Sequence, residues 1–171
     1  WKRKSILGMT TPAGKFTLGL NKTIDKILAS KYDLVGSNFA GFKTMSDYVA
    51  IGDRIDNAIF YESKKFDATG GKFYLERQFG EVAGENSGNT RTGIAKTFKL
   101  GDVQGFIAYS EATGSTGDDD WDQKGFGLQY KTPQKIVLKA QYRDLSAESN
   151  TDTTSGLGYS ADGEGYSVSV M

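Results

Sequence analysis

The sequence predicts an all-β protein: a transmembrane, antiparallel, up-and-down β-barrel with about nine strands. Three observations carry this. Nine segments alternate apolar and polar residues with period two. The connections between them alternate short and long along the whole chain. The apolar faces hold few charges and often end in Tyr or Phe.

The strands follow in order. "SILGMTT" is a weak first example. "KFTLGL" sets Phe16, Leu18 and Leu20 opposite Lys15 and Thr17. "RIDNAIFYE" sets Ile55, Ile59 and Tyr61 opposite Arg54, Asp56 and Glu62. "KFYLERQF" sets Phe73, Leu75 and Phe79 opposite Tyr74, Glu76 and Gln78, with Arg77 interrupting the apolar face. In "TRTGIAKTFKL" Lys96 shares a face with Ile94 and Phe98. "DVQGFIAYS", "KGFGLQYK", "KIVLKAQYRD" and "GYSVSV" complete the set, the third placing Lys139 and Arg143 opposite Leu138 and Tyr142. A helical stripe occurs only in residues 22–50, where Ile24, Ile27 and Leu28 recur at helical spacing.

The loop rhythm separates a membrane barrel from a soluble sandwich with one buried face. A sandwich has no reason to alternate "TPAG", "LGD" and "TPQ" with 21–53, "EATGSTGDDDWDQ" and "SAESNTDTTSGLGYSADGEG". A barrel has one, since one rim carries tight turns and the other long external loops. Strands of about 8–11 residues suit a tilted crossing of a bilayer.

Composition narrows the function classes. The 171 residues suffice for one domain, and 21 basic side chains balance 21 acidic ones, so charge offers nothing to nucleic acid. There is no His and no Cys, which removes Cys–His and Ser–His–Asp nucleophiles, zinc fingers and disulfides. "DDDWD" at 118–122 lacks the spacing of a calcium loop and reads as solvated external loop. Asp56, Glu62 and Glu76 read as ordinary lumen carboxylates rather than a glycosidase pair. No catalytic residue, metal or cofactor is expected. Alternation sends Lys15, Arg54, Lys72, Lys131, Lys139 and Arg143 inward with Asp56, Glu62 and Glu76: six bases to three acids.

"RKSILGMTTPAGKFTLGLNK", then a long loop, then "SDYVAIGDRIDNAIFYESKKFDATGGKFYLERQFGE" and "GFGLQYKTPQKIVLKAQYRDL" resemble the general porins of Gram-negative outer membranes. The resemblance implies a trimeric 16-stranded barrel of porin type, of which these nine strands form an open partial barrel, lodged among outer-membrane lipid and lipopolysaccharide and passing small hydrophilic solutes and ions. It implies that residues 21–53 are the inward-folded, pore-constricting loop, with Asp33 and Asp47 as its acids and Arg54 as a wall arginine facing them. Leu20 stands where the family's pattern has a further wall arginine. Residues 1–171 read as a single barrel domain, truncated at both ends because Trp1 is no start and Met171 falls inside an alternating run. The alternative is a small closed outer-membrane barrel used for ligand binding, adhesion or structure.

Overall fold

The computed structural model describes residues 4–32, 54–66, 70–80, 90–113, 119–149 and 159–170. The strands are β1 (Ser5–Thr10), β2 (Gly14–Lys22), β3 (Arg54–Ile55), β4 (Ala58–Ser63), β5 (Phe73–Gln78), β6 (Thr90–Leu100), β7 (Val103–Thr113), β8 (Asp119–Lys131), β9 (Val137–Ser149) and β10 (Tyr159–Val170). One helix, α1 (Ile24–Tyr32), follows β2.

All strand pairs are antiparallel. The sheet runs β1-β2-β4-β5-β6-β7-β8-β9-β10, with β3 attached to β2 off this path. Sequential neighbours therefore pair as the meander reading expects. Among the described residues β1 does not meet β10, so the sheet is open, as a partial barrel should be. A small closed barrel would need that pairing.

Register fixes the two faces, because directly paired residues share one. We call inner the face against which α1 packs. Thr17, Phe60, Glu76, Gly93, Ser110, Gln123 and Leu145 form one continuous inner row across seven strands. The outer face carries Leu7, Leu18, Ile59, Ile107, Leu138 and Val168, all exposed. Val168 reaches 78% exposure. So wide an apolar surface is intolerable in water and ordinary against lipid. No described helix is long and apolar enough to span a membrane.

Two local expectations are corrected. "RIDNAIFYE" is not one strand. Leu18 pairs Ile59 and Asn21 pairs Ile55, so three steps on β2 oppose four on its partner. The extra residue is absorbed at Asp56–Asn57, where Asn57 has φ 45°. A bulge resets period-two alternation. Ile55, expected beside Ile59 on the lipid face, is instead 6% exposed and packed with Ala58 and Phe60.

The second correction concerns strand length. Residues 119–122 of "DDDWD" belong to β8 rather than to a loop, and β8 and β9 have 13 residues each. At about 3.3 Å per residue such strands are roughly 43 Å long. The apolar band of a membrane barrel is only about 25 Å tall. The surplus rises past the hydrocarbon on the long-loop side. Accordingly the outer face of β8 and β9 is apolar from Phe126 to Tyr130 and from Leu138 to Tyr142. It then turns charged at Lys124, Asp122 and Asp144.

Candidate functional site

The site is built where α1 crosses the inner face. Thr23 caps the helix: its Oγ1 accepts from the Lys26 amide at 3.2 Å. Ile24 and Leu28, one turn apart, lie 3% and 1% exposed, while Ile27 turns away from the wall. Tyr32 closes the contact against the Phe106 ring, with centroids 4.9 Å apart. The stripe read from the sequence thus becomes the docking face of a helix lying over β5 to β9.

Buried charge fastens the helix's first turn. Glu76 Oε2 accepts the Ile24 amide at 2.7 Å, placing a carboxylate at the helix N-terminus where the dipole favours it. Arg91 Nε donates to Glu76 Oε1 at 2.5 Å, and Arg91 Nη2 pairs with Asp25. Ser110 Oγ donates to the same Asp25 oxygen at 2.6 Å. The Arg91 guanidinium also lies 4.7 Å from the Trp121 ring centroid. Gly93 makes room: a Cβ there would stand 2.7 Å from Glu76 Cγ. At the other end, Lys139 Nζ donates to the Lys31 carbonyl at 3.1 Å.

Burial pushes the Tyr32 phenol up to about 12, with Tyr74 adding to the push. The Tyr32 hydroxyl is buried and has no partner among the described residues. The folded state therefore holds this proton above pH 10, where the unfolded chain releases it. Stability contributed at Tyr32 is intact below pH 10 and is lost as pH rises towards 12. We expect Tyr32→Phe to leave stability at neutral pH unchanged or raised by about 1 kcal/mol, because an unsatisfied hydroxyl disappears. The variant should also lose less stability than the parent between pH 10 and 12, read by urea unfolding across that range.

Each residue singled out in the sequence has a place. Lys15, Arg54 and Glu62 line a cavity of about 670 Å³ between the inner face of the first strands and the open flank of α1. Glu62 is paired with Lys72. Arg54 is half-buried and lines this cavity with its register partner Lys22; since alternation inverts at the bulge, its place rests on the cavity lining and not on the strand parity that the sequence suggested. Asp56 sits exposed at the bulge and accepts from Gln78 at 3.4 Å. Lys139 holds the helix end, and Arg143 is buried on the inner face at 6% exposure. Lys131 is exposed, opposite Val137. Asp33 and Asp47 lie outside the described residues.

Sequence reading missed Arg91, Asp25 and Ser110. The parity of β6 was the available signal, since Arg91 alternates with Gly93 and Ala95 on the face opposite Ile94. Nothing in the sequence linked Arg91 to an acid 66 residues away.

An open antiparallel sheet with a lipid-ready outer face, a polar inner face and a helix fastened inside defines a piece of a transmembrane β-barrel. The Gram-negative porin family model matches residues 1–171, and the chain belongs to the Gram-negative porin family. It is accordingly a multi-pass protein of the outer membrane. The family points to a channel rather than to an enzyme.

Among solved structures, the chain is similar to an anion-selective porin from Comamonas acidovorans, at 17% identity and TM-score 0.78, covering 98% of this chain and 51% of that one. It is also similar to a loop-deletion form of OmpT, an outer membrane protein of Vibrio cholerae, at 18% identity and TM-score 0.52, covering 96% and 67%. In-vitro folded OmpT in its trimer form matches at 19% identity and TM-score 0.51, covering 98% and 64%. These likenesses concern the fold. The chain spans about half the length of the Comamonas protein. No curated protein matches it at a significant level.

Proposed function

We propose that the complete protein forms a water-filled channel for passive diffusion of small hydrophilic solutes and ions, narrowed by the segment that α1 begins. The observation that carries this is a helix held by buried charge against the polar inner face of a sheet whose outer face suits lipid. Residues 21–53 are the constricting loop of a single barrel domain. Its acids Asp33 and Asp47 are assigned to one side of the passage and the wall cations Lys15 and Arg54 to the other. Charges so arranged act on permeating ions without chemistry or cofactor.

The wall beside α1 favours anions, since Lys4, Lys15, Lys22 and Arg54 share a cavity with the already paired Glu62. The Comamonas protein named as anion-selective supports this reading. A homotrimer set in outer-membrane lipid and lipopolysaccharide is the assembly we assign, supported by family membership and by the trimer form of OmpT.

Planar-bilayer recording of the full-length protein tests the channel. A stable ohmic conductance is expected, and its absence would remove the reading. Arg54→Ala should shift the zero-current potential in a salt gradient towards cations, with the anion-to-cation permeability ratio falling about twofold, since one of several lumen charges is lost. Folding should be nearly unaffected, because Arg54 is only half-buried and its Nε has no partner among the described residues.

A further inference from the structure

The cavity beside α1 has a feature that passage of hydrophilic solutes does not call for. Two of its lining residues, Ile6 on β1 and Ile27 on α1, are each 37% exposed. Ile6 pairs Gly19, on the face opposite the lipid-side Leu7, so its side chain is not there to meet lipid. Ile27 is the residue of the α1 stripe that does not dock on the wall. Exposed apolar surface in a water-filled passage costs free energy roughly in proportion to its area, and the cost disappears when an apolar group covers it.

Around these isoleucines stand Lys4, Lys15, Lys22 and Arg54. Among the described residues the one lining carboxylate is Glu62, and Lys72 engages it. The volume of about 670 Å³ falls within the range of small-molecule sites and far exceeds what a chloride or acetate ion needs.

We infer that this cavity is a binding site for small amphipathic organic anions: a carboxylate held by the lysines and Arg54, and an alkyl or aryl body covering Ile6 and Ile27. The inference rests on the channel reading above and names a solute class that the channel retains rather than merely passes. Charge alone would draw any anion. The apolar pair is what separates benzoate from acetate, which carry the same charged group.

The test uses the full-length protein in planar bilayers, titrating its chloride current with benzoate, with acetate and with inorganic phosphate. Benzoate should reduce the current at concentrations about tenfold lower than acetate, the ratio expected if covering the isoleucines contributes about 1.4 kcal/mol. In Ile6→Ser/Ile27→Ser, and partly in Ile27→Ser alone, the benzoate-to-acetate ratio should fall towards one. Calorimetric titration of the detergent-solubilised protein with benzoate reads the same site without conduction. Conductance with equal block by benzoate and acetate, or stronger block by phosphate than by benzoate, would overturn the site while leaving the channel intact. Absence of both conductance and benzoate heat would overturn both readings. An unchanged ratio in the double variant would show that the isoleucines are not the contact.

Discussion

Replacing Arg91 with alanine should cost about 3–5 kcal/mol, the range for stranding buried charges by removing their partner. Arg91 is 2% exposed and is the shared cation of Glu76 and Asp25, which come from the wall and from the helix. Without it, two carboxylates lie buried together, with Arg143 the buried cation left to act on Asp25. The sheet does not depend on this contact, because β5 and β6 keep their paired register from Phe73–Lys96 to Gln78–Arg91 through backbone bonds. The loss should therefore appear as release of α1 rather than collapse of the barrel. Trypsin should then cleave at Lys26 or Lys31 in the variant and not in the parent, and single-channel conductance should rise. Arg91→Lys, which keeps a cation for the two carboxylates, should recover part of the docking. Unchanged proteolysis and conductance in Arg91→Ala would show that the helix is held by Ile24, Leu28 and Tyr32 alone.

That network also shows where the sequence stopped being readable. Sheet order, strand faces and the helical patch follow from local patterns of period two or of helical spacing, and such patterns are visible in any short window. Lys139 could be placed on the inner face by alternation, yet its bond to the Lys31 carbonyl, 108 residues distant, depends on how far the helix reaches across the wall. The same holds for Asp25 with Ser110, 85 residues apart. Ile55 was misplaced for a different reason. The bulge at Asp56–Asn57 adds one residue, and alternation counted across it inverts. An Asp-Asn pair inside an otherwise regular strand was a visible warning, since both residue types tolerate bends and positive φ. The upper part of β8 escapes an alternation test because its outer-face residues, Asp120, Asp122 and Lys124, are charged. A strand beyond the hydrocarbon has no lipid to select its outer side chains.

A contrast between adjacent residues tests the assignment of faces, and its expected effect is the larger one for the barrel itself. Leu128 pairs Ala140, which pairs Val168, and this outer row sits midway between the rows of Phe126 with Tyr142 and Tyr130 with Leu138. Leu128 lies halfway between the charged row of Lys124 with Asp144 and the turn that follows Lys131, near the middle of the apolar band. Leu128→Arg would place a guanidinium against hydrocarbon at a cost of about 2–4 kcal/mol at mid-depth. Gln129, the next residue, pairs Gln104 and Lys139 on the inner face. Water reaches that face, so Gln129→Arg should change stability by less than about 1 kcal/mol, limited to weak repulsion from Lys139. Urea unfolding of both variants in lipid vesicles gives the two values directly. Charge, side-chain length and strand are shared, so the difference isolates the face. A one-residue error of register would exchange the two outcomes, and equal costs would mean that the outer row of β8 does not meet lipid.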